Sequence, residues 1–421
     1  MILPDRNMPQ EETRLYRMRW WILSLLFLST VINYLDRMVL SVLIPVIREE
    51  FHFDESVYGN ITAAFQVAYT AGALICGYLL DTVGTKIGMA LTVGVWSLAT
   101  MLHASAGSPL QLGFWRGWLG LAESGNFPAA TKAAAEWFPP QERAFAVGIF
   151  MAGTNIAAVL GPPAFIAIQL AFGWRACFLV TGALGFGWLA AWLLFYHSPA
   201  EGVAAERSGR ITLRDTLAYR QAWGYALAKF LTDPVWWFFL FWLPLYFHDV
   251  RKFDMRQLAW ALPVVYLISD VGAVSGGWFS GYLIRRGWPR GRARKTAMLI
   301  CALIMPVAAL GVLARDSTTA VLLFSLATFA HQAWMTNLFT TAADVFPKEA
   351  VGRVLGLGGC LGGFGGVMFS SLIPGHVIGR IGYTPLFLAM SCLYMVAMFL
   401  FHILMRDLTP VRFESTASTQ R

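Results

Sequence analysis

Four charged residues stand inside long apolar stretches of the sequence. Asp36 and Arg37 follow the apolar run at 20–32, and Arg116 and Glu123 lie seven residues apart in another apolar stretch. A charge at the centre of a membrane costs about 2.5–3.5 kcal/mol on insertion scales, so such residues usually have a partner or a function. Carboxylates can carry protons and guanidinium groups can bind organic anions, which makes these four residues the first candidates for chemistry.

The composition around these charges is that of a membrane protein. The 421 residues are 57% hydrophobic and only 13% charged, with 17 Trp, which differs from a soluble globular domain. Apolar stretches of about 20 residues, enough to cross a hydrocarbon layer of about 30 Å, recur along the chain. We therefore predict an all-α integral membrane protein with twelve transmembrane helices. The predicted spans are 19–47, 57–80, 87–107, 110–132, 144–170, 175–197, 222–248, 258–284, 296–314, 318–342, 351–378 and 383–405.

The distribution of basic residues predicts the orientation. With a cytoplasmic N-terminus, most of the 32 Lys and Arg residues fall in cytoplasmic segments, as the positive-inside rule requires. Both termini are therefore predicted to be cytoplasmic. The basic loop at 285–295 then serves as a topology signal near anionic lipid headgroups, and nucleic-acid binding is a remote alternative. The scattered Cys and His residues predict no metal site and no cofactor.

Three short sequences recur in the second half of the chain at offsets of 204, 208 and 209 residues. The matching pairs are GYLLD (77–81) with GYLIR (281–285), EWFP (136–139) with DVFP (344–347), and GWRACFLV (173–180) with GYTPLFLA (382–389). Such a repeat predicts two bundles of six helices. The predicted parts are an N-terminal bundle (1–197), a cytoplasmic linker (198–221), a C-terminal bundle (222–406) and a cytoplasmic tail (407–421). Paired repeats imply a binding site near the midplane, reached alternately from each side.

Several motifs carry a family resemblance that covers essentially the whole chain. The 6+6 arrangement, GYLLDTVGTKIG (77–88) and EWFPPQERAFAVG (136–148) resemble the major facilitator superfamily. NYLDR, RGWLGLAESGNFPA and EWFPPQERAFAVGIF resemble its anion:cation symporters, and KFLTDPVWWFFLFWLP (229–244) and FAHQAW (329–334) resemble bacterial hexuronate transporters of that group. The resemblance implies a multi-pass protein of the inner (plasma) membrane that carries a small organic anion together with a proton. A monomer is expected.

The four intramembrane charges sum to zero, which suggests a coupling mechanism. Arg116 and Glu123 share a helix face but lie about 10 Å apart along the axis, so each needs a partner on another helix, with Asp36 and Arg37 as the natural candidates. Protonation of one carboxylate would leave a charge of +1 that an organic monoanion would neutralise. We predict that Asp36 and Glu123, with Arg116, handle the coupling proton and that Arg37 binds the substrate carboxylate. The alternative is a static buried network.

Other polar residues are candidates for substrate contacts. By resemblance, Tyr34 and Tyr69 would touch sugar-acid hydroxyl groups, with ordinary packing as the alternative. Asn155 is a candidate for reading hydroxyl groups, or else it forms a helix–helix hydrogen bond. In the tenth predicted span, three neighbouring side chains offer a titratable group, an amide and a stacking face, although a buried His is more often a packing residue. These three residues are His331, Gln332 and Trp334.

Two further pairs and a glycine segment have predicted roles. By resemblance, Asp81 and Arg143 would form a latch on the cytoplasmic face, with a solvated turn as the alternative. Lys229 and Asp233, four residues apart, are predicted to pair along one helix for structural reasons. The glycines of GLGGCLGGFGG (356–366) predict either close helix packing or a gating hinge.

The function class follows from what the chain contains. It has no Gly-Lys dipeptide and so no G-x-x-x-x-G-K-[ST] loop to bind ATP phosphates. It has no H-E-x-x-H motif and no nucleophile beside a recognisable base, so an enzyme is not predicted. A secondary active transporter is the prediction, with glucuronate or galacturonate as the leading substrates. The alternatives are an aldonate, an aldarate or an aromatic acid as substrate, or a transporter-like sensor without flux.

Overall fold

A computed structural model describes residues 10–138, 140–197, 213–406 and 408–411 of the chain. Within these residues the chain forms sixteen α-helices and one short π-helix, and no strand. Contacts divide the chain into two compact units. The N-terminal unit comprises Met1–Phe53 and Asn60–Ala204, and the C-terminal unit comprises Asp54–Gly59 and Ala205–Arg421.

Seven helices make up the first part of the chain, up to residue 195. They are α1 (Gln10–Phe51), α2 (Glu55–His103), α3 (Pro109–Glu123), α4 (Asn126–Trp137), α5 (Pro140–Met151), α6 (Gly153–Phe172) and α7 (Trp174–Phe195). Helix α2 bends at Gly84, whose φ of 81° lies in the left-handed region that favours glycine. It therefore contains two of the predicted spans.

Nine helices and the π-helix make up the rest. They are α8 (Leu213–Leu217), α9 (Arg220–Asp249), α10 (Met255–Arg285), α11 (Arg290–Ile304), α12 (Val307–Leu313), α13 (Ser317–Val345), α14 (Lys348–Gly366), the π-helix (Val367–Leu372), α15 (Ile373–Ile381) and α16 (Thr384–Leu404). The segment predicted as a linker therefore contains the short helix α8.

Ten helical segments of the described chain are long and apolar enough to cross a membrane. They coincide with ten of the twelve predicted spans. The other two predictions, 110–132 and 318–342, are also helical, but polar side chains lower their hydropathy. Arg116 and Glu123 lie in the first, and His331 lies in the second. The predicted all-α membrane fold is confirmed.

The predicted span at 110–132 is interrupted beside one of the intramembrane charges. Helix α3 ends at Glu123 and α4 begins at Asn126. Between them, a Cβ atom on Gly125 would lie 2.6 Å from Thr92 Cγ2 of α2, which is closer than real carbon atoms approach. The close contact of this break with α2 therefore requires a glycine, and it places the last turn of α3 deep in the unit.

Helix ends recur at the repeat offset, as the internal repeat predicts. The side chains of Ser108 and Asp316, 208 residues apart, each accept a hydrogen bond from a first-turn N–H and cap α3 and α13. The bond from the Thr319 N–H holds the pKa of Asp316 below its usual value. Gly173 and Gly382, 209 residues apart, end α6 and α15 with φ values of 83° and 75°. The same helix caps and glycine ends thus occur at matching positions in both halves.

The EWFP and DVFP sequences also make comparable polar contacts within their own units. The Thr85 hydroxyl donates to Glu136 Oε1 at 2.5 Å, and Arg294 Nε lies 3.3 Å from Asp344 Oδ2. Thr85 follows the bend of α2 at Gly84, and Arg294 lies near the start of α11. Their partners Glu136 and Asp344 lie near the ends of α4 and α13. The two acidic residues are 208 positions apart, so the repeat extends to side-chain contacts.

The glycines at 356–366 allow α14 to pack closely on α9. A Cβ atom on Gly362 would fall within van der Waals distance of the Asp233 carboxylate, and one on Gly358 would meet Tyr225 and lie 2.8 Å from Lys229 Cδ. A Cβ atom on Gly359, in contrast, would have no neighbour within 4 Å. Close helix packing therefore accounts for the glycines that face α9.

We predict that Gly362→Ala destabilises the protein and that Gly359→Ala does not. The added methyl group at 362 would push Asp233 away from Lys229, and overpacking of this kind costs about 1–3 kcal/mol. At 359 the methyl group enters open space and improves helix propensity by roughly 0.5–1 kcal/mol. Thermal unfolding of the purified variants in detergent would measure both effects. Equal melting temperatures for the two variants would contradict the packing described here.

Candidate functional site

Helix α1 directs its two intramembrane charges towards different neighbours. Successive residues of an α-helix are rotated by about 100° around the axis, so the side chains of Asp36 and Arg37 point in different directions. Arg37 faces the crossing of α2 and α3. Asp36 faces the C-terminal part of α2 and α7. The adjacent charges therefore belong to two separate environments.

Arg37 forms a buried ion pair with Glu123 of α3. Its Nε atom lies 3.0 Å from Glu123 Oε2, and the two side chains are 1% and 0% exposed. Asn33, one turn earlier on α1, accepts a hydrogen bond from Arg37 Nη2 at 3.2 Å and donates to the Glu123 main-chain oxygen at 3.4 Å. Since both side chains are buried, the loss of either partner would leave an uncompensated charge inside the protein, which is costly.

Aromatic rings surround the guanidinium group of Arg37. Its Cζ atom lies 4.7 Å from the ring centroid of Tyr34, 4.8 Å from that of Tyr69 and 5.4 Å from that of Phe65. These distances are within the range of cation–π attraction. Tyr34 and Tyr69 are both partly exposed. The two predicted substrate-binding tyrosines are thus grouped around Arg37.

Arg116 connects α3 to the backbone of α1. Its Nη1 atom donates to the Asp36 main-chain oxygen at 3.2 Å, and its Nη2 atom donates to the Arg37 main-chain oxygen. Its guanidinium group lies 4.7 Å from the Phe65 ring centroid. Phe65 therefore contacts both arginines, and it was not among the residues selected from the sequence.

The Asp36 carboxylate has no ion-pair partner among the described residues. Neither of its oxygens has a hydrogen-bond partner there, although the side chain is fully buried. The hydroxyl groups of Thr100 on α2 and Thr181 on α7 lie beside it without reaching hydrogen-bond geometry. A full negative charge at this position would be costly because no cation compensates it directly.

The structure thus brings together one of the two pairs expected from the sequence. Glu123 meets Arg37 as expected, but Arg116 meets the main chain of α1 and not the Asp36 side chain. The physical reason is the rotation between adjacent helix positions. When Arg37 points towards Glu123, Asp36 must point towards another part of the unit.

Asn155 lies near the start of α6, apart from these contacts. Its side-chain oxygen accepts a hydrogen bond from Thr154 at 2.9 Å. Helix α6 packs tightly on α1 here, because a Cβ atom on Gly153 would lie 2.7 Å from the Phe27 main-chain oxygen. The described hydrogen bond of the Asn155 side chain is therefore local.

In the C-terminal unit, the predicted cluster on α13 divides between two environments. The His331 Nδ1 atom is hydrogen-bonded to the Tyr394 hydroxyl, and its ring is stacked on Trp236 at 5.3 Å. Trp334 is completely buried, with its ring edge-to-face against Tyr394 at 5.4 Å. Gln332 is partly exposed. Trp334 therefore packs in the core, while Trp236 and Tyr394, which the sequence analysis missed, hold His331.

Lys229 and Asp233 form the pair that their spacing predicts. The Lys229 Nζ atom lies 3.0 Å and 2.8 Å from the two carboxylate oxygens of Asp233. The Lys229 ammonium also lies 4.6 Å from the Phe339 ring centroid. The glycine face of α14 covers most of this pair, and the Lys229 and Asp233 side chains are 7% and 15% exposed.

The predicted latch residues, Asp81 and Arg143, have side chains outside the described part of the structure. The Leu80 main-chain oxygen, next to Asp81 in the sequence, accepts a hydrogen bond from Lys132 Nζ at 2.7 Å. For metal ions, the described residues contain no group of three or more His, Cys, Asp or Glu side chains that could hold one.

Comparisons with known proteins agree with this arrangement. A sequence model described as Major Facilitator Superfamily matches residues 26–370. A hexuronate transporter of Escherichia coli (strain K12) is 32% identical over 400 residues, covering 89% of this chain and 91% of its own length. A galacturonate transporter of Dickeya chrysanthemi is 34% identical over 279 residues, covering 62% of this chain and 81% of its own length.

A solved structure shares the fold. A bacterial homologue of the human lysosomal transporter Spinster, in an inward-facing and unoccupied conformation, superposes with a TM-score of 0.77 at 19% sequence identity. The match covers 93% of this chain and 98% of the other.

The two buried carboxylates should differ in what they contribute to stability. Glu123→Gln would leave Arg37 as an unbalanced buried charge, and breaking a buried pair from one side costs about 3–5 kcal/mol. Asp36→Asn would remove a charge that has no ion-pair partner among the described residues, so we expect an unchanged or higher melting temperature. Thermal unfolding of both variants at one pH provides the measurement. A larger loss for Asp36→Asn than for Glu123→Gln would contradict the pairing.

Proposed function

The chain belongs to the major facilitator superfamily, and we propose that it is a proton-coupled symporter of a hexuronate anion such as glucuronate or galacturonate. The protein is a transporter of small organic anions rather than an enzyme, and it crosses the membrane several times. In the proposal it acts as a monomer in the inner (plasma) membrane, by alternating access. Its partners are the anion, the proton and the lipid bilayer.

The surroundings of Arg37 are the observation that supports this proposal most strongly. The guanidinium group is buried, lies close to the rings of Tyr34 and Tyr69, and donates hydrogen bonds to Glu123 and Asn33. A planar guanidinium group binds a carboxylate with two parallel hydrogen bonds. The two tyrosine hydroxyl groups are suited to the hydroxyl groups of a sugar acid. A hexuronate supplies both kinds of group.

Competition for Arg37 provides a coupling mechanism. In the pair described above, Glu123 is the resident anion of Arg37. A proton on Glu123 would cancel its charge and weaken its attraction to the guanidinium group. An incoming carboxylate would then take its place and restore neutrality, so the proton and the substrate would strengthen each other's binding by the same factor.

Asp36 has a different position and a different proposed task. Because its carboxylate has no ion pair among the described residues, a proton there removes an uncompensated buried charge. Arg116 holds the main chain of α1 at Asp36 and Arg37, so it fixes this turn of α1 relative to α3. In the proposal, Asp36 and Glu123 carry the coupling proton, and Arg116 positions and balances them.

The remaining predicted residues complete the proposal. The substrate's hydroxyl groups would be bound by Asn155 and, from the C-terminal unit, by His331 and Gln332. Trp334 would act by supporting Tyr394, against which its buried ring packs. Asp81 and Arg143 would form the cytoplasmic latch.

Uptake by the reconstituted protein tests the function directly. Proteoliposomes with an imposed inward proton gradient should accumulate labelled galacturonate, because a proton bound with the anion adds the gradient to the driving force. A protonophore should abolish that accumulation. Absence of uptake, in vesicles shown to contain folded protein, would overturn the hexuronate proposal. Competition by aldonates, aldarates and aromatic acids would then identify the anion carried instead, and ligand binding without any flux would indicate a sensor.

Asp36→Asn separates coupling from substrate binding. The variant keeps the size of the side chain but cannot exchange a proton, so we expect proton-driven uptake to fall by a factor of about 100. Counterflow exchange of galacturonate at equal pH should continue, because exchange requires no net proton movement. Asp316→Asn is the matched control, since this exposed carboxylate only caps α13 and Asn caps equally well. Full proton-driven uptake by Asp36→Asn would exclude the coupling role.

A further inference from the structure

Three helix ends of the N-terminal unit meet around a buried histidine that the proposed function does not use. Arg175, near the start of α7, lies 2.8 Å from Glu50 near the end of α1 and 3.5 Å from the Ala106 main-chain oxygen just after α2. His103 is the last residue of α2 and is 0% exposed. The following residues Ser105 and Gly107 are exposed. His103 therefore lies between an exposed loop and the interior.

The hydrogen bonds of His103 identify which ring nitrogen is available. Its Nδ1 atom lies 2.7 Å from the Ala99 main-chain oxygen. A carbonyl oxygen can only accept, so Nδ1 carries a hydrogen atom and Nε2 of the neutral ring has a lone pair. Nε2 is buried and has no hydrogen-bond partner among the described protein atoms. The ring is stacked on Phe178 of α7 at 5.0 Å, with an angle of 2° between the planes, which fixes its orientation.

Helices α2 and α7 run antiparallel, and their contacts can be followed from His103 towards the threonines beside Asp36. Ala106 is near Arg175, and His103 is stacked on Phe178. One turn further into the unit, this register brings Thr100 of α2 beside Thr181 of α7.

Both of these threonine hydroxyl groups lie beside the Asp36 carboxylate. Thr100 and Thr181 are buried, and Thr100 Oγ1 has no hydrogen-bond partner among the described atoms. His103 and Thr100, three residues apart, lie on the same face of α2. Thr100 is also beside the Asp36 carboxylate, so both polar side chains lie on the side of α2 that leads from the loop towards this carboxylate.

We propose that His103 is a proton relay between the surface at this end of the unit and the Asp36 carboxylate. The proposal rests on the proposed function, in which Asp36 takes up the coupling proton. With the predicted cytoplasmic N-terminus, this end of the unit faces the outside of the cell, from which the proton enters.

The transfer conserves atoms and charge. A proton from water binds to Nε2 and forms an imidazolium ion, while Nδ1 keeps its hydrogen bond to Ala99. The Nε2–H bond then breaks as the Thr100 hydroxyl accepts this proton and gives its own proton to the Asp36 carboxylate. The ring returns to its neutral form, Thr100 regains a hydroxyl group, and Asp36 becomes a carboxylic acid.

The charges around His103 favour a relay over a storage site. Arg116 of α3 is the charged group that faces the ring. The ring contacts Phe178 from α7, and the Ala99 carbonyl belongs to its own helix. Glu50 and Arg175, nearer the surface, are paired with each other. Since a nearby positive charge disfavours an imidazolium ion, a proton on His103 would move on quickly to the negative Asp36.

His103→Gln tests the relay, with His376→Gln as the matched control. A Gln side chain can still donate to the Ala99 carbonyl but cannot relay a proton. His376 has the same kind of bond, from Nδ1 to the Leu372 main-chain oxygen at 2.9 Å, but is exposed. In proteoliposomes, His103→Gln should slow proton-driven galacturonate uptake by about 10-fold or more, with counterflow exchange unchanged. His376→Gln should match the wild type in both assays.

A second variant keeps the proposal falsifiable if His103→Gln does not fold. Thr100→Val preserves the shape of the side chain but removes the hydroxyl group, and it should show the same selective loss of proton-driven uptake. Wild-type rates of proton-driven uptake in either folded variant would overturn the relay. Equal loss of uptake and counterflow would assign these residues a structural role instead. A wild-type protein that exchanges galacturonate but does not respond to a proton gradient would refute the proton-coupled function itself.

Discussion

A buried guanidinium group needs a negative charge close by, and the Arg37–Glu123 pair meets this need inside the N-terminal unit. Much of the surrounding architecture serves to bring these groups together. Gly120 lets α3 approach the α2 backbone at Phe65, and Gly125 lets the chain break directly after Glu123 and pack on α2. Because an unpaired charge in this environment would cost several kcal/mol, the contact between α1 and α3 depends on this pair.

The pairing of one carboxylate leaves the other in a different electrostatic situation. The charges of Asp36, Arg37, Arg116 and Glu123 balance in number, yet Arg116 donates to the main chain of α1, and Asp36 faces threonine hydroxyl groups. Two acids with the same formal charge thereby acquire different neighbours. In the C-terminal unit, by contrast, Lys229 and Asp233 satisfy each other on one helix and are covered by glycines. That pair has the features of a structural contact.

The internal repeat preserves the helix caps and helix ends of the two halves more than the side chains of their interiors. Helix caps at Ser108 and Asp316 and glycine ends at Gly173 and Gly382 recur at nearly constant offsets. The buried charges do not recur in this way. Caps and turns depend on local backbone geometry, which both halves share, whereas interior side chains depend on what each bundle binds or packs.

The sequence by itself determined the helical membrane fold, ten of the twelve spans as apolar helices, the repeat and the pairing of Lys229 with Asp233, because hydropathy, caps and i,i+4 spacing are local. Only the tertiary structure decided that Arg37 holds the Glu123 carboxylate, that Trp334 is buried against Tyr394, and that His103 is stacked on Phe178. These choices depend on the rotation of each helix about its axis and on which helices pack together. Such relations join residues far apart in the chain, and no local pattern encodes them.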